Sequence, residues 1–204
     1  MHYTLPYIRQ LLVDASASMD LQQELMPDIV EEHLAEFRRF VDRHPEGYHR
    51  FGISVFSTEL KPVFGPCPVD ALPELSGEDL RTDGDTALFD ACWRQLDLLE
   101  EFLVAEGIAE RAQVDFHLIT DGVDTASTSV RFADLRQRIE ALRASGRWTF
   151  HFHEADLDTI ELNALLGLRR QLAETVDPRQ LREALVEFLT PGTPDEGQDQ
   201  AGNL

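Results

Sequence analysis

The stretch Leu11-Leu12-Val13-Asp14-Ala15-Ser16-Ala17-Ser18-Met19 decides the fold. Its apolar half belongs to a run over 7–13 that reads as a buried strand, and the run ends abruptly in one carboxylate and two hydroxyls. Asp14, Ser16 and Ser18 alternate along the turn that follows, so three oxygen donors stand at one strand end. Donors of this kind suit a hard divalent cation. The pattern returns once: 114–120 reads as a second apolar strand, and it too stops in a carboxylate, Asp121, followed by Gly122.

Working outward from the first turn, Leu25, Ile29, Val30, Leu34, Phe37 and Val41 recur at helical spacing and predict a helix over 21–43, stopped by His44-Pro45-Glu46-Gly47. Strands are expected over 51–56 and 60–64. Only Ser57-Thr58-Glu59 separates them, a hairpin length that makes the third strand antiparallel. The connection over 65–85 is rich in Pro, Gly and Asp, with one helical turn expected near 69–75. It is the longest irregular segment, and long ordered loops often carry function. A helix over 86–106 places Leu88, Phe89, Cys92, Trp93, Leu96, Leu99 and Leu103 on its apolar side. Further helices are expected over 132–144, 157–168 and 178–189, with strands over 148–152 and 172–176. The end, 191–204, has almost no apolar residue and reads as a disordered tail.

Strands alternating with helices predict an α/β domain over 1–190, built on a mostly parallel sheet with helices on its faces. With 204 residues, 43% of them apolar, the chain is the size of one domain with a full core. Lys plus Arg is 18 against 38 Asp plus Glu, a net charge of −20, and this speaks against nucleic acid or an anionic membrane as partner. Met1-His2-Tyr3-Thr4 is not a basic segment leading into an apolar one, and no window approaches the roughly 18 apolar residues of a membrane span. A cytoplasmic protein is the expectation. Cys67 and Cys92 lack CxxC spacing and are expected as two free thiols.

In doubly wound sheets ligands bind beyond the carboxyl ends of the strands, where strand order reverses. If the first and fourth strands are neighbours there, Asp14-Ala15-Ser16-Ala17-Ser18, Gly84-Asp85-Thr86 and Thr120-Asp121-Gly122 converge. Such a site offers two carboxylates and three hydroxyls. Mg²⁺ uses one or two carboxylates and keeps several waters. Neutral hydroxyls leave the ion electron-poor, so it can still accept a carboxylate from outside.

In these residues the chain resembles the von Willebrand factor type A domain and its metal-ion-dependent adhesion site (MIDAS). The family pattern is DxSxS, a Thr further along, and an Asp closing the fourth strand. Asp14, Ser16 and Ser18 match the first part, Thr86 the second and Asp121 the third. The resemblance spans about 5–190. It implies a Rossmann-like, doubly wound sheet of six strands in the order 3-2-1-4-5-6 with the third antiparallel. It also implies Mg²⁺ or Mn²⁺ held by Asp14, Ser16, Ser18, Thr86 and Asp121, and capture of an Asp or Glu on a partner protein without catalysis. Stand-alone bacterial intracellular members look nearer than secreted adhesins, and such members work beside ATPases or in stress-response assemblies. Two residues depart from the pattern, Ala17 and Asp85, where the family often has Gly.

Other readings of the same residues are weaker. Asp and Ser after a strand also serve as helix caps, but capping requires no distant partners. Thr86 could cap its helix and still bind metal, and Asp124 reads as a solvated loop acid rather than an outer contact of the site. His151 and His153 share one strand face, which suggests zinc, yet no third ligand has recognisable spacing, so ordinary strand residues are favoured. Aspartyl-phosphate phosphatases of the haloacid dehalogenase type use Asp-x-Asp, and here the third residue is Ser16. They and P-loop enzymes also need a lysine at the phosphate, whereas Lys61 is the only lysine in the chain. A metal-free scaffold is the remaining alternative, and the intact set of ligand types argues against it.

Overall fold

The computed structural model describes residues 5–21, 26–120, 124–154 and 160–161. Its elements are β1 (Tyr7–Asp14), α1 (Met26–Arg43), β2 (His49–Phe56), β3 (Leu60–Cys67), α2 (Leu88–Ala105), β4 (Gln113–Thr120), α3 (Phe132–Ala144), β5 (Trp148–Glu154) and a two-residue β6 (Ile160–Glu161). Short 3-10 turns occupy Ala17–Leu21, Val69–Ala71 and Gly77–Leu80.

Five long strands lie in the order β3-β2-β1-β4-β5. β1 pairs in parallel with β2 on one side and β4 on the other, and β4 in parallel with β5. β3 returns antiparallel to β2, as the short hairpin connection dictates. The chain leaves β1 toward β2 and later crosses back to β4, so strand order reverses at β1 and β4. This is where a ligand crevice opens in such sheets.

β6 pairs antiparallel with β5, from a segment not expected to be a strand. At Ile160–Glu161 this strand replaces the helix expected over 157–168, whose other residues lie outside the described ones, as do the expected strand over 172–176, the helix over 178–189 and the tail over 191–204.

Alternation along the strands divides the core in two. Ile8 and Leu12 of β1, Phe116 and Leu118 of β4 and Phe150 and Phe152 of β5 pack under α2 and α3. Leu11 and Val13 of β1, Ile119 of β4 and Phe51, Ile53 and Val55 of β2 face α1, whose Met26, Val30, Leu34 and Phe37 form its buried stripe. Phe37 is wholly buried, its ring 5.1 Å from that of Phe51. Burial of one such side chain stabilises the fold by about 1.5–3 kcal/mol. Both cysteines are free thiols, and Cys92 lies on the buried side of α2. No helix among the described residues is long and apolar enough to cross a membrane.

Candidate metal centre at the end of β1

The apolar alternation of β1 runs out at Asp14, which is wholly buried although charged residues seldom are. Its Oδ1 accepts the backbone N–H of Ser16 at 2.9 Å, and its Oδ2 accepts the hydroxyl of Thr120, at the end of β4, at 2.5 Å. The carboxylate thereby folds its own turn and ties it to the neighbouring strand. Ser16 is buried and Ser18 exposed, and their hydroxyl oxygens lie 2.9 Å apart.

Backbone hydrogen bonds bring the second loop to this turn. Ala17 donates to the carbonyl of Gly84 at 2.9 Å, Asp83 to that of Ala15 at 2.8 Å, and Ala15 to that of Phe56 at 2.7 Å. Gly84 has a φ of 76°, a left-handed conformation that glycine adopts without strain. Thr86, two residues on, is 3% exposed and anchored by Thr125, whose N–H donates to its carbonyl at 2.9 Å and whose hydroxyl accepts its N–H at 3.0 Å.

Thr86 does not cap α2. The capping position is Ala87, without a side-chain cap. The first-turn N–H groups are instead met from the loop after β4: Phe89 donates to Asp124 and Ser127, and Asp90 to Ser127. Asp124 is therefore half-buried and capping, not a solvated loop acid. A loop acid that caps a helix distant in sequence has no local signature, because nothing near Asp124 records that α2 begins beside it.

Of the five expected ligands, the structure brings Asp14, Ser16 and Ser18 together on one turn and stitches the loop carrying Thr86 against it. Asp121 lies outside the described residues, immediately after Thr120. The two departures have ordinary outcomes. Among the described residues only glycines have positive φ, so the turn holds Ala17 without strain. Asp85 is exposed, its N–H donating to the Thr58 hydroxyl at 3.3 Å.

Two of these donors are spaced as a hard octahedral ion would hold them. Two ligand oxygens on adjacent vertices of an Mg²⁺ octahedron, each 2.0–2.1 Å from the ion, are about 2.9 Å apart. The Ser16 and Ser18 hydroxyls have that spacing.

Further histidine and carboxylate groupings lie elsewhere: His33, His117 and His153, and Asp115, His117 and His151, each with ligand atoms within 4.8 Å of one another. The expectation that His151 and His153 lack further ligands thus misses His117 on β4 and His33 on α1. Adjacency of β4 to β5 supplies the first and the packing of α1 the second, and neither is a sequence spacing.

No family model matches the chain, and no curated protein is similar to it. Among solved structures it is similar to the pilus adhesin SpaC from Lactobacillus rhamnosus GG, with 14% identity and a TM-score of 0.55 over 93% of this chain and 30% of that one. A von Willebrand factor type A protein from Catenulispora acidiphila is 18% identical, with a TM-score of 0.44 over 91% of this chain and 42% of that one. The PilB minor pilin from Streptococcus sanguinis is 19% identical, with a TM-score of 0.41 over 60% of this chain and 31% of that one. The chain spans less than half the length of each of these structures. Sheet order, the antiparallel β3 and the turn at the end of β1 make the fold von Willebrand A-like.

Proposed function

We propose that this protein is a divalent-cation-dependent, non-catalytic binding module whose metal site captures a carboxylate of a partner protein. The observation that carries the reading is the 2.9 Å spacing of the Ser16 and Ser18 hydroxyls beside the wholly buried Asp14, at the point where strand order reverses. Mg²⁺ or Mn²⁺ would be held by Ser16, Ser18 and Thr86, with Asp14 and Asp121 as direct or water-mediated ligands. The ion would supply a Lewis-acidic position for an Asp or Glu side chain.

The chain's own contribution is positional. Asp14 orients the Ser16 amide and binds Thr120, and the Gly84 carbonyl holds the turn through Ala17. The exposed loop after β3 would form the rim that selects the partner. Fold similarity to a pilus adhesin supports an interaction role. The setting we propose is the bacterial cytoplasm, the partner an ATPase or stress-response assembly, and the binding domain the whole of 1–190.

Calorimetric titration of the metal-stripped protein with Mg²⁺ and Mn²⁺ tests the reading. One saturable site is expected, weakened in Ser16→Ala and Thr86→Ala and lost in Asp121→Ala. A folded wild type that binds neither ion, or variants that bind as well as it does, would overturn it. Partner capture is expected to be abolished by EDTA.

A further inference from the structure

On the opposite face of the sheet from Asp14, we propose that His33, His117 and His153 form a second metal centre, for a zinc-class transition ion. The site is independent of the one described above. His117 shares its face of β4 with Ile119, which packs under α1, while Asp14 and Thr120 belong to the other alternation of their strands.

Three elements build the cluster. β4 contributes Asp115 and His117, β5 contributes His151 and His153, and α1 lays His33 across them. One ligand atom from each of His33, His117 and His153 lies within 4.8 Å of the others. His117 Nδ1 and His153 Nε2 are 2.9 Å apart, and the His33 ring stands edge-on to both, with centroids at 4.9 and 4.7 Å. Tetrahedral zinc, with Zn–N distances of 2.0–2.1 Å, separates its nitrogens by roughly 3.3 Å. The His117 and His153 nitrogens already stand near that separation, and His33 reaches it by ring adjustment.

Polar satisfaction points the same way. His33 Nδ1 is a buried nitrogen with no hydrogen-bond partner among the described residues. Buried polar atoms left unpaired are rare and call for a cause. The other ring nitrogen of His117, Nε2, faces Asp115 Oδ2 at 3.5 Å. Asp115 already accepts the Tyr7 hydroxyl at 2.5 Å, His151 Nε2 at 3.1 Å and Arg9 Nη2 at 3.3 Å. A carboxylate accepts only, so it favours the proton of His117 on Nε2 and leaves the Nδ1 lone pair aimed at His153. Metal-ligating histidines are oriented by such outer carboxylates. Burial holds His33, His117 and His153 neutral, the form that binds metal, against the opposing pull of Asp115 and Glu36.

One guanidinium faces two carboxylates beside the cluster, so the surroundings of the three histidines carry a net negative charge, which favours a cation. The guanidinium of Arg9 is itself engaged by Glu36 at 2.7 Å and by Asp115 at 3.3 Å. Imidazoles without hydroxyl ligands select zinc, cobalt, nickel or copper over Mg²⁺.

The test uses the full metal-stripped chain in excess Mg²⁺, titrated with Co²⁺ and then displaced by Zn²⁺. One equivalent of Co²⁺ is expected to produce the visible absorption of a tetrahedral, nitrogen-ligated ion. His33→Gln and His153→Gln, at half-buried positions, are each expected to weaken binding by at least roughly tenfold, while Ser16→Ala leaves it unchanged. His117→Gln is avoided, since that side chain is buried in the sheet. Independently of any variant, the Co²⁺-loaded wild type should show paramagnetically shifted imidazole resonances from three histidines. The proposal is overturned if the folded wild type binds neither Co²⁺ nor Zn²⁺. It is equally overturned by fewer than three shifted histidines, by undiminished binding in both variants, or by loss of binding in Ser16→Ala.

Discussion

Thr120 donates its hydroxyl to Oδ2 of Asp14 at 2.5 Å, joining the ends of β4 and β1 through two side chains with no exposed surface. A buried carboxylate costs heavily unless donors surround it. Thr120→Val keeps the shape and removes the donor, and is expected to lower stability by about 1–3 kcal/mol and to weaken Mg²⁺ binding. Thr120→Ser, which keeps the hydroxyl, should recover most of both. Urea unfolding with parallel metal titration measures the pair, and a Val variant as stable as wild type would sink this account.

Gly84 is the hinge by which the second loop meets the turn. A Cβ there would stand 2.9 Å from the Thr58 hydroxyl oxygen, in a backbone with a φ of 76°. The left-handed conformation costs a residue with a side chain roughly 1–2 kcal/mol. Gly84→Ala should shift the carbonyl that accepts the Ala17 N–H, reducing Mg²⁺ affinity while the far-UV dichroism of the helices stays unchanged. Unaltered metal affinity in this variant would mean that the loop does not position the site.

The fold and half the site were legible because their signals are local. The apolar runs stopping at Asp14 and after Thr120, and the three-residue connection between β2 and β3, each write one topological fact into contiguous residues. Thr86 has a weaker local signal, a hydroxyl ahead of an apolar helix, and the resemblance reinforced its placement at the site. What escaped depends on packing between distant elements: Asp124 capping α2, and His33 meeting His117 and His153. Leu21, expected to open the first helix, belongs instead to the 3-10 turn at Ala17–Leu21, and α1 is described from Met26. Apolar periodicity records which side of a segment is buried, not where its hydrogen bonding begins.

Asp90 holds the loop that follows β4 in place. Its carboxylate accepts the N–H groups of Thr128, Ser129 and Val130 from the first turn of α2, at 2.7 to 3.2 Å. Asp90→Ala is expected to destabilise the protein by about 1–2 kcal/mol, as loss of a good capping side chain does. Amide exchange should accelerate over 128–130 and not in β1. If the acceleration spread equally through the sheet, the loop would not be a local unit.

Acid should unfold the metal-stripped protein through its histidine cluster. His33, His117 and His153 are each pushed down to about 4, chiefly by burial. The groups facing them are Arg9 from β1, Glu36 from α1, Asp115 from β4 and His151 from β5. Asp115 works the other way on His117, favouring its charged form, and Glu36 does so on His33 and His153, but neither outweighs burial. In the unfolded chain these imidazoles return to about 6.5. Between pH 6.5 and 4 the unfolded state therefore binds more protons than the native one, and stability must rise with pH across that window. The contribution is complete above pH 6.5 and is lost as pH falls toward 4. One proton's linkage is about 1.4 kcal/mol per pH unit, so urea midpoints at pH 7.5, 6.5 and 5.5 in high salt, which screens the net charge of −20, should fall progressively. His33→Gln should flatten the slope. Midpoints that stay level or rise on acidification to pH 5.5 would show that the imidazoles are not held neutral.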